Sequence, residues 1–286
     1  MANEKNKRIY GQLLKARLES NNILPMIGVY DVFSAALVAD KFEAIFCSGY
    51  GFSASFYGLP DEGFITWNDM LAYVARLRAI LDNTHIIVDI DDGYGDPTIA
   101  SIATKRLEQV GASAVILEDQ RRPKKCGHLQ GKEILDINEY KERLSAILEV
   151  KKDLYIIART DSNDFEDSIK RVQEYSDLGA DAILVEGIKN HNQIPIIREA
   201  VPNDTAIVVN LIGGGNTAPI NLSQLHEYGV NIVNYSTPCL FAAHGAINES
   251  LDKLLLNDGM LKIEDNDVTL KENNTFLKRL INKNDD

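Results

Sequence analysis

Eight short apolar runs recur along this chain at nearly even spacing, each followed by a stretch of helical periodicity. They cover residues 24–30 (LPMIGVY), 44–47 (AIFC), 86–90 (IIVDI), 114–118 (AVILE), 155–159 (YIIAR), 182–186 (AILVE), 206–210 (AIVVN) and 231–235 (NIVNY). Each is continuous, where a half-exposed strand would alternate, so each predicts a strand buried on both faces, as in a parallel sheet covered by helices. The intervening segments 31–41, 67–81, 97–110, 138–150, 165–178, 192–200 and 222–228 predict helices. Another helix is expected over 7–20, stopped by Asn21 and Asn22, and two more over 241–256 and 270–281. Gly111, Gly179 and Gly229 stand just before a strand, where a glycine commonly ends a helix. The simplest closure of eight such units is an α/β fold, a (β/α)8 barrel with extra C-terminal helices. An open doubly wound sheet is the alternative topology. With 286 residues and no linker or low-complexity tract, residues 1–286 read as one barrel domain.

Composition narrows the functional classes. The formal charge of −12 disfavours nucleic acid and anionic membranes as partners. A small anionic substrate remains compatible with it, because a bound cation reverses the field locally. Cys47, Cys126 and Cys239 are far apart and odd in number, which argues against a disulfide framework or a thiolate zinc site. The polar start has no signal-type apolar core, and no run approaches the roughly 18 residues of a membrane span. A soluble, cytoplasmic protein is expected.

In a barrel of this type the site lies at the C-terminal ends of the strands. Polar residues collect there: Ser48, Asp89 and Asp91, Glu118, Arg159 and Asp161, Glu186, Asn210, and Tyr235 with Ser236. A plain solvated rim would also be polar, but acids gathered on the first four strands with an arginine opposite favour an active site. Asp89 and Asp91 are two apart at a strand end and point the same way. Like charges brought together call for a cation. Oxygen-only ligands favour Mg2+, or Mn2+, over zinc, and Asp61 and Glu118 could complete the shell. Asp92 reads as a solvated turn residue.

The segment EDQRRPKKCGHLQG, residues 118–131, opens from a strand into a cationic loop carrying a thiol. The connection 119–136 is long for a barrel with otherwise short loops, which suits a lid. Neighbouring cations at Cys126 would favour the thiolate and ease proton donation; the bland alternative is an incidental Cys-Gly-His. Gly213, Gly214 and Gly215 read as a flexible turn, with a phosphate cradle as the alternative. Cys47 and Cys239 read as small buried residues.

Taken together, these residues resemble the isocitrate lyase and phosphoenolpyruvate mutase superfamily over about residues 24–245. The motifs are SGY at 48–50, GLPD at 58–61, DIDDGYG at 89–95, EDQ at 118–120, KKCGH at 124–128, ART at 158–160, and Asn210. KKCGH resembles the lyase branch. GHLQGK and NLIGGGNTAP are similar to the group of dimethylmalate lyases, petal death proteins and oxaloacetate acetylhydrolases.

The resemblance implies Mg2+ on Asp89, with Asp61, Asp91 and Glu118 acting mostly through its waters. It implies that Ser48, Gly49, Tyr50 and Arg159 hold the α-oxyacid end of a small carboxylic-acid substrate, with Lys124, Glu186, Asn210 and Ser236 also on the substrate. Cys126 would protonate the carbanion side of the broken bond, and His128 would support the loop. The catalytic set so implied is Cys126, His128, Arg159 and Glu118. A homotetramer with a C-terminal helix swapped between neighbours is implied too, with residues 241–286 making oligomer contacts. The expected activity is Mg2+-dependent carbon–carbon cleavage of a small 2-hydroxy dicarboxylic acid such as a substituted malate. Ser236 stands where several lyases have proline, which makes hydrolysis of oxaloacetate to oxalate and acetate the chief alternative. A phosphonate mutase and a non-catalytic binding protein are the others.

Overall fold

Each apolar run becomes a parallel strand, and the strands pair in chain order until the last closes on the first. The computed structural model describes residues 9–20, 22–129, 131–264 and 267–282. Lys7, Arg8 and Asn21 of the first expected helix and its stop lie outside them, as do both chain ends. The strands are β1 Leu24–Val29, β2 Ala44–Cys47, β3 His85–Asp89, β4 Ala114–Glu118, β5 Tyr155–Thr160, β6 Ala182–Val185, β7 Ala206–Leu211 and β8 Ile232–Tyr235. Closure is the pairing of β1 with β8, Leu24 with Ile232 and Ile27 with Tyr235. That pairing excludes the open doubly wound sheet.

The helices are α1 Tyr10–Leu18, α2 Val32–Ala39, α3 Gly49–Phe52, α4 Trp67–Arg78, α5 Pro97–Gln109, α6 Ile137–Val150, α7 Phe165–Leu178, α8 Gln193–Ala200, α9 Leu222–Glu227, α10 Pro238–Leu256 and α11 Leu270–Asn282. Their starts follow local chemistry. Asp31 and Thr66 form capping boxes with Ser34 and Asp69, and Asp96 caps α5 just ahead of Pro97. Gly111, Gly179 and Gly229 all take positive φ (97°, 109° and 78°), the conformation that ends a helix sharply.

Strand periodicity divides the core in two. Alternate residues pointing into the barrel, among them Met26, Phe46, Ile87, Ile116, Ile157, Leu184, Val208 and Ile232, form one cluster. Leu14 and Leu18 of α1 belong to this inner cluster, so the first helix plugs the end of the barrel where the strands begin. The other strand residues, such as Ile45, Val88, Val115, Ile156 and Val209, pack outward beneath the helices.

Two local expectations need correction. Sequence pattern reads 48–51, after the second strand, as a small-residue loop; instead Ser48 caps α3 by accepting from Gly51 N–H at 3.1 Å, and the chain runs on into a π-helical turn, Ser53–Tyr57. Cys47 is fully buried as expected, but Cys239 is only half-buried. The C-terminal helix α10 has no buried residue along its whole length. Among the described residues, no helix is long and apolar enough to cross a membrane.

Candidate active site

Extending the inward-facing parity of each strand by one step produces the site. Ser48 follows Phe46, Asp89 follows Ile87, and Glu118 follows Ile116. Arg159 follows Ile157, Glu186 follows Leu184, and Asn210 follows Val208, each two residues beyond an inner-cluster member. Asn234 and Ser236 continue the same face of β8 beyond Ile232. Polar groups on this face therefore crown the apolar barrel at one mouth. On β1 the equivalent position is Gly28, where a Cβ would lie 1.9 Å from Ser236 O, so the barrel seam has room only for glycine.

A cavity of about 220 Å³ opens there. Ser48, Tyr50, Asp61, Asp89, Arg159, Glu186, Asn210 and Ser236 all line it. Cys126 and His128 reach it from the lid. Phe46, Ile116 and Leu184 form its floor, and Ile212 and Phe241 contribute apolar wall. Gly49, Asp91, Glu118 and Lys124 stand behind this wall and do not line it.

The lid, described over residues 119–129 and 131–136, is fixed at several points. Its base closes as a short antiparallel bridge, Gln120 opposite Ile134. The Gln120 side chain donates to Lys125 O at 2.8 Å and accepts from Lys125 N–H at 2.9 Å. Lys132 Nζ donates to Gly127 O at 2.5 Å and to Asp161 at 3.1 Å. A Cβ on Gly127 would stand 2.4 Å from both Arg159 Nη2 and Glu186 Cγ, so only glycine lets the loop settle this deeply. Cys126, one residue earlier, is thereby held over the cavity.

Lys124 is the chief surprise. Expected on the substrate, it is only 1% exposed and sits among carboxylates: Asp91 Oδ1 at 2.5 Å, Asp61 Oδ1 at 3.1 Å and Glu118 Oε1 at 3.6 Å. Burial pulls its ammonium down, but Asp61, Asp91 and Glu118 outweigh that and hold it well above the ordinary lysine value. Asp91 converges with Asp89 for a reason other than strand parity. It takes φ 49°, past the end of β3, and its N–H donates to Asp89 Oδ1 at 3.1 Å.

Asp92 is also corrected. It is 1% exposed, with Arg122 Nε and Arg143 Nη1 each at 2.8 Å from one of its oxygens. A turn flanked by glycines reads as exposed; here α6 and the lid cover it and supply two guanidinium groups.

The donors fit Mg2+ in one specific way. Among the described residues no three His, Cys, Asp or Glu side chains stand together as a complete metal cage. Asp89, however, lines the cavity, and burial, aided by Asp91 and opposed by Lys124, pushes its carboxyl up to about 6. Both oxygens of buried Glu118 lack an aligned hydrogen-bond donor. Mg2+ commonly binds through one or two carboxylates and retains several waters, so one cavity-lining carboxylate, Asp89, with Asp61, Asp91 and Glu118 close by is compatible with that ion.

Arg159 faces this acidic half. Its Nε lies 2.8 Å from Asp161 Oδ2 and its Nη2 3.1 Å from Asp161 Oδ1, while Nη1 lies 3.2 Å from Glu118 Oε2. Asp161 thus fixes the guanidinium plane, and its own N–H donates to buried Asp119 at 2.8 Å. Asp119 also accepts from Tyr175 Oη at 2.9 Å and Arg171 at 3.2 Å. The three residues of EDQ therefore serve three elements: the mouth, α7 and the lid.

A chain of polar contacts crosses the opposite half. Asn234 donates to Ser236 Oγ (2.8 Å), Ser236 donates to Asn210 Oδ1 (2.6 Å), and Asn210 donates to Glu186 Oε1 (2.8 Å). His128 Nε2 lies 2.6 Å from the same Glu186 oxygen. Burial pushes the Glu186 carboxyl up, but Arg159, His128 and Asn210 together hold it at about 2. Cys126 departs from the thiolate expectation. Burial pushes its thiol above the ordinary value, with a hydrogen bond from His128 N–H only partly opposing, because Lys124 spends its charge on the carboxylates.

Sequence pattern alone does not single out Asn234, Lys132, Gln120 or Asn216 as site residues, and it gives Asp161 only as a polar strand end. Asn234 had a legible signal, an amide in mid-strand on the inward parity. The others act through the lid, whose path local pattern does not disclose.

Comparison with known proteins gives matches over most of the chain. The family model described as phosphoenolpyruvate phosphomutase matches residues 14–255. The 2,3-dimethylmalate lyase of Eubacterium barkeri is 30% identical over 272 residues, covering 92% of each chain. The chloroplastic carboxyvinyl-carboxyphosphonate phosphorylmutase of Arabidopsis thaliana is 34% identical over 249 residues, 84% of this chain and 73% of that protein. Among solved structures, an oxaloacetate acetylhydrolase in complex with 3,3-difluorooxalacetate superposes with a TM-score of 0.89 at 27% identity, covering 96% of both chains.

Proposed function

Because the chain belongs to the phosphoenolpyruvate mutase/isocitrate lyase superfamily, we propose that it is a carbon–carbon lyase cleaving a small 2-hydroxy dicarboxylic acid, a substituted malate, to an α-keto acid and a carboxylic acid. The observation that carries this reading is the half-buried Cys126 thiol held by the lid over a cavity whose other face is Arg159, Ser48 and Asp89.

The residues divide the work. Arg159, its plane fixed by Asp161, and Ser48 with the Gly49 and Tyr50 segment hold the α-oxyacid end. The C2 hydroxyl gives its proton to a carboxylate on the cavity wall, Asp61, and its O–H electron pair forms the C2=O bond; the C2–C3 pair passes to C3, and C3 takes a proton from Cys126 Sγ, leaving a thiolate that solvent reprotonates when the lid reopens. A raised thiol pKa suits this role, since an acid must arrive at the reaction protonated. The closed lid keeps water from the carbanion. Asp89 would hold Mg2+, which when bound supplies Lewis-acid stabilisation of negative charge at the α-oxyacid end.

Hydrolysis of oxaloacetate is the second reading, and Ser236 supports it. Its hydroxyl lines the cavity and is tied into the Asn234–Asn210–Glu186 chain, where a hydrated ketone could be held. Phosphonate chemistry has less support, because the loop after β7 is taken up by the lid (below). Proton NMR with Mg2+ and a panel of malates, 2,3-dimethylmalate, methylisocitrate and oxaloacetate tests the proposal. An α-keto acid from an alkylated malate supports lyase action. Oxalate and acetate from oxaloacetate alone would put the hydrolase first, and silence across the panel would refute both.

Assembly belongs to the same proposal. The face of α10 bearing Ile247, Leu251 and Leu255 is 58%, 54% and 80% exposed. Beside it an apolar groove of about 840 Å³ is lined by Phe33, Leu37 and Phe42 of the α2 region and by Pro238, Cys239 and Ala242. Exposed apolar surface of that extent on a soluble barrel is best covered by neighbours, as a homotetramer exchanging C-terminal helices would do.

A further inference from the structure

The loop after β7, with its three consecutive glycines, reads in sequence as a turn or an anion cradle. In the structure its occupant is the imidazole of His128. Asn216 N–H donates to His128 Nδ1 at 2.8 Å, and the Asn216 side-chain amide donates to His128 O at 3.1 Å. A Cβ on Gly215 would lie 2.6 Å from Nδ1 and 3.0 Å from Cε1, so the ring rests against bare backbone. At Gly213, by contrast, a Cβ would meet nothing within 4 Å.

These contacts settle more than the position of the ring. A backbone N–H can only donate, so Nδ1 must carry a lone pair and the ring proton must sit on Nε2. That nitrogen lies 2.6 Å from Glu186 Oε1, a close polar contact that is not aligned as a hydrogen bond, so the Nδ1 contact alone carries the tautomer. With Nδ1 protonated instead, two donors would face each other at Asn216, and an unprotonated Nε2 would face a carboxylate.

We infer that Gly215 and Asn216 are positioning residues: they seat the lid histidine, choose its Nε2–H tautomer, and so hold Cys126, two residues earlier, over the cavity. The catalytic consequence rests on the lyase reading, but the seating does not, and it can be measured without any substrate.

Two substrate-free readouts test it on the full-length protein with Mg2+ present. The first is tryptic cleavage within the lid, at Arg121, Lys124, Lys125 and Lys132, whose rate follows the open population when closing is fast. The second is the side-chain 15N spectrum of histidine-labelled protein, with His128 assigned by His128→Gln. The parent protein should show a pyridine-like Nδ1 and a protonated Nε2. Asn216→Ala, which removes one hydrogen bond, should raise lid cleavage about 3–10-fold. Gly215→Ala should raise it further and shift the His128 signals toward the averaged tautomers of a free imidazole. Gly213→Ala should match the parent in both, which separates seating of the ring from general stiffness of the loop. A parent His128 protonated on Nδ1, or a Gly215→Ala protein indistinguishable from Gly213→Ala, would overturn the inference. Either result would leave the substrate assay untouched, and silence in that assay would leave the tautomer standing.

Discussion

Replacing Asp92 by asparagine keeps the shape of the side chain and removes one charge from a nearly sealed site. Arg143 Nη1 lies 2.8 Å from both Asp92 Oδ2 and Asp92 O, and the Arg143 residue is 6% exposed. Arg143 has one other carboxylate, Glu139 at 3.4 Å, which is 39% exposed on its side chain, and its Nε has no hydrogen-bond partner. Removing one member of a buried ion pair typically costs about 3–5 kcal/mol, because the remaining charge stays desolvated. The Arg122 arm adds little: its side chain is 33% exposed, so solvent screens the pair to below about 1 kcal/mol. The expected loss for Asp92→Asn is therefore about 3–5 kcal/mol, nearer the lower figure because Glu139 persists. In a chain of this size that corresponds to a fall in Tm of roughly 6–10 °C. Urea denaturation at fixed protomer concentration measures it. Asp92→Leu with Arg143→Met, which removes both charges, should recover much of the loss. Arg122→Gln should cost less than about 1 kcal/mol. An Asp92→Asn protein within about 1 kcal/mol of the parent, or a double variant as unstable as the single one, would refute the reasoning.

Three further outcomes are expected. Cys126→Ala should lower turnover about 10²–10⁴-fold while leaving the melting curve and Mg2+ binding nearly unchanged; retained turnover would remove the thiol from the reaction. Glu186, held at about 2 in the folded protein against an ordinary 4.5, contributes stability that is full above about pH 4.5 and is lost as pH falls toward 2. Glu186→Gln should accordingly flatten the stability–pH curve across that window, and identical slopes in denaturant titrations would show that its charge is not stabilising. Ile247→Asp with Leu251→Asp places charges on the exposed apolar face of α10. It should shift sedimentation to smaller species with the barrel still folded, and unchanged sedimentation would refute assembly through that face.

The barrel was legible because its signal is local and repeated. Continuous runs such as AVIL and AILV cannot be half-exposed, and the polar residue ending each run falls on the inward parity. The same rule applied to NIVNY would have added Asn234 to the site. What escaped depends on partners distant in sequence. Lys124 meets Asp91 across a lid whose path no periodicity encodes. Asp92 looks solvated beside Gly93 until α6 and Arg122 close over it. Asp91 was placed near Asp89 by strand alternation, yet it arrives through a left-handed turn. The helical turn at 49–57 was hidden because two glycines weaken helix propensity locally, while the Ser48 cap and the packing of Phe52 favour it. The thiol at 126 gains little from the lysines beside it in sequence, because Lys124 is buried against Asp91 and Asp61 instead.

The seam between β1 and β8 also bears on how the protein is made. Leu24 pairs with Ile232, about 200 residues later. At roughly 5–20 residues per second, on the order of 10–40 s separate the two strands as they leave the ribosome. Through that interval β1 presents an unpaired edge, and Ser236, against which Gly28 must close, has not yet been synthesised. Seven strands can zip in order as they emerge, but the last hydrogen bonds of the sheet wait for the end of translation. Nascent chains of this protein should therefore depend most on chaperone shelter late in synthesis, when most of the sheet is built and both of its edges are still open.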